Sequence, residues 1–316
     1  MAKPRMDLSA FVGKLLEEQD GDVLREGIRV LSQALMETEV AGEHRYLWVD
    51  ATYHKVRVDG RVLSQATVVA VGVTTEGDRQ CSASMSVRRR TVFWTAFLRS
   101  LVKRGLKGVR LVISDAHEGL KQAISTVLSG STWQRCRVHF MRNLLATVPQ
   151  GAREAIAAIV RTIFAQPDHA SAMTQLRKVA EGLRLRFPRA ATVLEEAAED
   201  ILASRHLPVE HQRQLHSTNP LERLNKEIKR RSNVVGIFPN PAAVIRLVGA
   251  ILIEQDDEWA VAERRYFSAE SMKLPTTPLL STTTQEILAA IGQDSQAHES
   301  VRAKFHHLTG HYLRAH

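Results

Sequence analysis

The sequence predicts an α/β protein built on a mixed five-stranded sheet and followed by a long helical stretch. Three observations carry this expectation. Hydrophobic patterning runs β-β-β-α-β-α-β from about residue 46 to residue 138. Val109–Ile113 is wholly apolar, as suits a strand buried on both faces. From Phe140 to Leu215 the periodicity is helical throughout, punctuated by Pro149, Pro167, Pro188 and Pro208.

In chain order, Phe11, Leu15, Leu16, Val23, Leu24, Ile28, Leu31 and Leu35 recur at three and four, which predicts helices over 8–40 ending at Gly42. The pattern then switches to short runs rich in β-branched and aromatic residues. Tyr46–Val49 and Ser64–Val73 read as two strands, with Asp59-Gly60 as a turn signal between them, and Gln80–Met85 reads as a third. Phe93, Phe97, Leu98, Leu101 and Val102 mark an amphipathic helix, Val109–Ile113 the fourth strand, and Leu120, Ile124, Val127 and Leu128 another helix. Trp133–Val138 is the expected fifth strand. Beyond Leu215, one helix is expected from near Pro220 and another over about Ala242–Arg264, then a polar, Thr-rich tail.

Composition bounds the function. The 316 residues carry 43 Lys+Arg against 34 Asp+Glu, a net charge of +9, with 44% hydrophobic content to build a core. The longest apolar runs, Thr67–Val73 and Leu247–Ile253, are far shorter than the ~18–20 residues of a membrane span. Asp7 follows Lys3 and Arg5 at once, unlike a secretory signal. Two cysteines, Cys81 and Cys136, do not make a disulfide scaffold, so a cytoplasmic protein is expected. Basic charge concentrates in two places: eight basic and no acidic residues over Arg88–Arg110, and six basic residues against Glu222 and Glu227 over His216–Arg246. Residues 1–42 run the other way, with five basic and eight acidic side chains. Such clusters are either solvated helix faces or contacts for a phosphate backbone.

Three carboxylates stand out. Asp50 closes the first expected strand in Trp48-Val49-Asp50, and Asp115 closes the fourth in Ile113-Ser114-Asp115. Chemistry in open α/β sheets collects at carboxyl strand ends, and paired carboxylates there suit hard divalent cations. The competing reading is an Asp capping the following helix, which fits Asp115 before Ala116-His117-Glu118. Glu222 lies three residues after Asn219, with Pro220 between them, which is a capping-box pattern; equally, it shares a helix face with Asn225, Lys226 and Lys229, as a metal ligand beside phosphate would. Glu227 is four residues from both Arg223 and Arg231, so exposed ion pairs explain it. Cys136-x-x-His139 supplies two ligands and no second pair at zinc-finger spacing, too few for a zinc site. His206, His211 and His216 read as surface or interhelix histidines.

Several strings, in order, resemble the mutator-like transposases of bacterial insertion sequences: Trp48-Val49-Asp50-Ala51-Thr52-Tyr53, Ser114-Asp115-Ala116-His117-Glu118-Gly119-Leu120, Trp133-Gln134-Arg135-Cys136-Arg137-Val138-His139-Phe140, Ser217-Thr218-Asn219-Pro220-Leu221-Glu222-Arg223-Leu224-Asn225 and Gly236-Ile237-Phe238-Pro239-Asn240. The resemblance runs from about Tyr46 to Lys273. It implies a ribonuclease-H-like sheet interrupted by a helical insertion, with an Asp-Asp-Glu triad falling on Asp50, Asp115 and Glu222 as catalytic and metal-holding residues. It further implies Mg²⁺, replaceable by Mn²⁺, and cleavage and strand transfer on double-stranded DNA by a homo-oligomer associated with the nucleoid. Cys136 and His139 take a supporting role near the site, and Arg223, Lys226, Lys229, Arg230 and Arg231 are the expected phosphate contacts.

The expected organisation is an N-terminal helical segment (1–42), a first core part (43–139), a helical insertion (140–215), a last core part (216–274) and a polar tail (275–316), a candidate for disorder. Two departures from the family pattern bear on function. Gly42-Glu43-His44-Arg45 leads straight into the first core strand, where the family carries a helix-turn-helix recognition region, so impaired recognition of element ends is expected. Cys81–Arg90 replaces a Gly-rich, acidic stretch, which weakens a DNA-binding role for the Arg88–Arg110 cluster. The alternatives are a non-catalytic remnant that binds DNA or pairs with a full-length transposase, and a ribonuclease-H-like nuclease.

Overall fold

A computed structural model describes residues 42–87 and 93–274, with backbone alone for 82–87. The expected helices over 8–40, the arginines Arg88, Arg89 and Arg90, and the tail over 275–316 lie outside the described residues.

The centre of the fold is β1 (Gly42–Val58), a 17-residue strand. It turns through Asp59-Gly60, both with positive φ (49° and 75°), into the antiparallel β2 (Arg61–Thr74). Left-handed residues at both turn positions match the twist of a two-residue hairpin, which is why Asp-Gly marks it. β3 (Arg79–Val87) adds antiparallel to β2. On the other side of β1 lie β5 (Leu111–Ser114) and then β6 (Thr132–Arg135), both parallel. The path is therefore β3-β2-β1-β5-β6, the five strands expected. Two further strands of two residues each, β4 (Leu106–Lys107) and β7 (Ile237–Phe238), pair with opposite ends of β1 and make the sheet seven-stranded. Strands that short have no hydrophobic period to announce them.

Two boundaries differ from expectation. β1 does not close at Asp50; it continues antiparallel to β2 as far as Val58, because the hairpin outruns the parallel pairing with β5. The fifth expected strand, β6, stops at Arg135, three residues short of Val138, and helix begins at Arg137.

Alternation along β1 sorts the core into two layers. Leu47 and Val49 face one side, where α1 (Phe93–Lys103) contributes Trp94, Phe97, Leu98 and Leu101, and α2 (Glu118–Val127) contributes Leu120, Ala123 and Ile124. Tyr46 and Trp48 face the other side, against Leu221, Leu224 and Ile228 of α9 (Asn219–Val235) and Val244, Val248 and Ile251 of α10 (Pro241–Ala260). Asp50 and Thr52 share the parity of Tyr46 and Trp48, so they point towards α9.

Between β6 and α9 the chain is helical: α3 (Arg137–Ala146), α4 (Arg153–Phe164), α5 (His169–Arg184), α6 (Pro188–Glu196), α7 (Ala198–Leu202) and α8 (Val209–Leu215). Most of these helices share a separate apolar core that includes Phe140, Leu144, Val160, Leu176, Leu194 and Ile201. A short α11 (Ala269–Met272) follows α10. Among the described residues, no helix is long and apolar enough to cross a membrane.

Candidate active site

The parallel register of β1 and β5 brings the two aspartates together. Trp48 pairs with Ile113, so two residues further along each strand Asp50 stands opposite Asp115, just past the end of β5. They sit where β1 loses its parallel neighbour and two chain directions diverge, which is the usual place for a site in such sheets.

Both carboxyls are pushed above the ordinary carboxylate range. For Asp50 the main cause is burial, opposed by a hydrogen bond from its neighbour Ala51 N (2.8 Å), the charges of His139 and Lys229, and a bond from Asn225. For Asp115 it is again burial, reinforced by the charge of Asp50 and opposed by His139, Arg142 and Arg135. Asp115 does not cap the next helix: α2 has His117 at its N-cap and no side-chain cap bond. Instead its Oδ1 meets His139 Nδ1 in a close ion-pair contact.

Cys136 and His139 knit the site to α9. Cys136 is fully buried at the N-cap of α3, and its Sγ lies 3.3 Å from His139 Nδ1. The same sulfur accepts hydrogen bonds from Thr218 N and Thr218 Oγ1, both at 3.4 Å. Thr218, and not Asn219, is therefore the N-cap of α9; it makes no side-chain cap bond, because its hydroxyl is turned to the sulfur. The expected capping box on Glu222 does not form around Asn219, which is already the first helical residue. Trp48 Nε1 donates to Ser217 O at 3.1 Å, so β1 also fixes the entry to this helix.

In the second turn of α9, Asn225 Nδ2 donates to Asp50 Oδ2 at 2.6 Å, and its Oδ1 accepts from Thr52 Oγ1 at 3.3 Å. Glu222, three residues before Asn225, occupies the same flank of the helix and is half-exposed. Its carboxylate makes no ion pair among the described residues, and it does not join the aspartates in a single group of ligand atoms. The groups of three potential ligands within 4.8 Å, among the described residues, are Asp115–Cys136–His139 and His169–Glu199–His206.

Glu227 lies elsewhere on α9. It accepts from Arg230 Nε and Nη2 (2.8 and 2.7 Å) and from Arg231 Nε (2.6 Å), which holds its carboxyl down at about 2. Its partners include Arg231, as the spacing suggests, but Arg230 stands in place of Arg223. Arg231 also pairs with Glu254 of α10 at 2.7 Å. Of the five basic residues expected to meet phosphate, Arg230 and Arg231 are thus engaged with carboxylates. Arg223, Lys226 and Lys229 are exposed, and the charge of Lys229 reaches Asp50.

Asn225 and Thr218 are contacts that no motif spacing singled out. Asn225 was visible only as a neighbour of Glu222 on one helix face; its tie to Asp50 spans 175 residues. His211 is of the interhelix kind and not a surface histidine. It is fully buried, with Nδ1 2.7 Å from Tyr46 Oη and Nε2 2.9 Å from Ser271 Oγ.

The chain matches the family described as Transposase, Mutator family, over residues 31–262. It is 43% identical over 243 residues to the transposase for insertion sequence element IS1081 of Mycobacterium tuberculosis, covering 77% of this chain and 58% of that protein. To the transposase for IS256 in transposon Tn4001 of Staphylococcus aureus it is 35% identical over 262 residues, covering 82% and 65% respectively. The chain thus spans less than two thirds of the length of these relatives. Among solved structures, the Drosophila P element transposase strand transfer complex aligns at 9% identity over 75% of this chain and 70% of that one; the TM-score is 0.27, below the level at which two folds can be equated.

Proposed function

The chain belongs to the Mutator family of transposases, and from that premise we propose that it cuts DNA and transfers the freed strand during transposition of an insertion sequence, with Asp50, Asp115 and Glu222 holding divalent metal on a ribonuclease-H-like sheet. The observation that carries this reading is that Asp50 and Asp115 each lie two residues beyond the Trp48–Ile113 pair of the parallel strands, beside the Glu222 helix. The strand path β3-β2-β1-β5-β6, with an antiparallel meander and two added parallel strands, supports the ribonuclease-H-like assignment.

The donor set fits Mg²⁺ or Mn²⁺. Two carboxylates, each desolvated and each raised in pKa by burial, lack sufficient positive charge nearby, and a hard dication relieves that deficit. Asp50 and Asp115 would hold it, with Glu222 completing the set from α9. When bound, such ions polarise the phosphodiester and supply a water-derived nucleophile at neutral pH. The chain's own side chains position and neutralise. Asn225 orients Asp50, His139 orients Asp115, and Cys136 anchors the start of α9 through Thr218. Lys226, Lys229 and Arg223 line the flank where a DNA phosphate would lie, and neutralise its charge. No side chain has to act as nucleophile. The partner is double-stranded DNA, bound by a homo-oligomer.

The test is metal-dependent nicking of DNA bearing pre-cut ends. Activity with Mg²⁺ or Mn²⁺ that Asp115→Asn abolishes is the expected result; metal-independent nicking, or none, would overturn the proposal. A second reading, a DNA-binding or transposase-pairing remnant, draws on the fact that Asp50, Asp115 and Glu222 do not form one group of ligand atoms all within 4.8 Å. It is separated by a gel shift over salt: binding without metal-dependent cleavage would favour it.

A further inference from the structure

Far along the chain from the aspartates, the helical stretch gathers two imidazoles and a carboxylate from three separate elements. His169 opens α5, Glu199 lies in the first turn of α7, and His206 closes the short 3₁₀ turn 203–206. The two rings stack with centroids 4.0 Å apart at a tilt of 34°. His169 Nε2 is 3.3 Å from Glu199 Oε2; it is shielded from solvent and has no hydrogen-bond partner. One ligand atom from each of the three residues lies within 4.8 Å of the others.

We propose that His169, Glu199 and His206 form a site for one divalent transition-metal ion of the zinc class, a clip that joins the start of α5 to the turn after α7. Two imidazole nitrogens with one carboxylate are borderline donors; they suit Zn²⁺, Co²⁺ or Ni²⁺ and discriminate against Mg²⁺ and Ca²⁺, which prefer oxygen alone. Three protein ligands leave a fourth position for water.

The protonation state suits the ligand role. Burial holds His206 below its ordinary value, and the neighbouring His169 acts in the same direction against the opposing charge of Glu199. Arg205, the chain neighbour of His206, donates to Phe164 O and to Gln212 Oε1, and Lys121 pairs with Asp200, the chain neighbour of Glu199, at 2.8 Å. His169 and His206 are 37 residues apart (206 − 169), so an ion shared by them closes a long loop of the helical stretch. Closure of that kind stabilises against local opening, since the loop entropy is lost in the open state as well.

The experiment uses the full chain, stripped with a chelator and titrated with Zn²⁺ by calorimetry, and with Co²⁺ by visible absorption, in excess Mg²⁺ to occupy oxygen-only sites. One equivalent of Zn²⁺ is expected, with a rise in melting temperature that Mg²⁺ alone does not give. Co²⁺ should show ligand-field bands and no thiolate charge-transfer band. His206→Gln should weaken Zn²⁺ by ~100-fold or more, the upper end of what loss of an outer-shell partner costs a metal site. Glu199→Gln, at the exposed carboxylate, should weaken it by more than ~10-fold, the least that loss of even an outer-shell partner costs, without altering the metal-free melting temperature. Unchanged Zn²⁺ affinity in either variant would overturn the proposal. So would a thiolate-to-cobalt band, which would locate the metal at Cys136. None of these readouts depends on DNA cleavage.

Discussion

Asn225 Nδ2 donates to Asp50 Oδ2 at 2.6 Å, and through that bond the helix bearing Glu222 is registered against the strand bearing Asp50. The amide occupies one carboxylate oxygen, while the backbone of Ala51 occupies the other. Asn225→Ala therefore leaves Asp50 held by the Ala51 N–H alone. We expect metal-dependent nicking to fall by about 10–100-fold with the fold intact, the range seen when an outer-shell partner of a metal ligand is lost. Cleavage rates against Mg²⁺ concentration, with circular dichroism as the fold control, check this.

Glu222 and Glu227 lie on one helix and should behave in opposite ways. Glu227 is occupied by Arg230 and Arg231, whereas Glu222 makes no ion pair among the described residues. Glu222→Gln should abolish nicking. Glu227→Gln should leave it within a few-fold and act only on the α9–α10 surface, where Arg231 still has Glu254. Equal losses in the two variants would contradict the assignment.

Cys136 acts as an acceptor for Thr218 in a fully buried position. Cys136→Ala leaves the Thr218 N–H and hydroxyl without that partner, at a cost of about 1–3 kcal/mol per unsatisfied group. Cys136→Ser, which keeps an acceptor, should cost less. Urea unfolding midpoints of the two variants provide the comparison.

Acid should loosen the contact between β1 and the segment around Ser271. Burial, aided by the charge of Arg45, pushes His211 down from 6.5 to about 4. The unfolded chain then binds this proton more readily than the folded one. Stability is undiminished above pH 6.5 and falls as pH drops through that value towards 4, by about 3 kcal/mol. His44, His54, His206 and His216 are lowered too and act in the same direction. The share of His211 is accordingly the difference in pH slope between the wild type and His211→Gln in urea unfolding.

DNA affinity should depend on salt through the exposed end of α9. Lys226→Ala removes a solvent-facing charge not held by any carboxylate among the described residues. The slope of log affinity against log salt should become shallower by about 1. Arg230→Ala, whose guanidinium is tied to Glu227, should change the slope less.

Period and spacing in the sequence were enough to name most elements. The β-branched run Ser64–Val73 and the Asp59-Gly60 turn foretell the β1–β2 hairpin, and helical periodicity foretells the helices between Phe140 and Leu215. These are local properties, written into neighbouring residues. The two-residue strands β4 and β7 and the true end of β1 escaped, because they depend on which backbone lies alongside.

The site divides along the same line. The amino-acid sequence by itself determined the family and the presence of carboxylates after apolar runs, since motifs and strand patterns are short-range. Only the tertiary structure decided that Asp50 faces Asp115, that Asn225 and not a capping residue serves the Glu222 helix, that Thr218 turns its hydroxyl to Cys136, and that Glu227 is already taken. Each of these rests on a register or a contact between segments up to 175 residues apart, and the free energy that selects such contacts comes from burial of the whole sheet rather than from any local sequence.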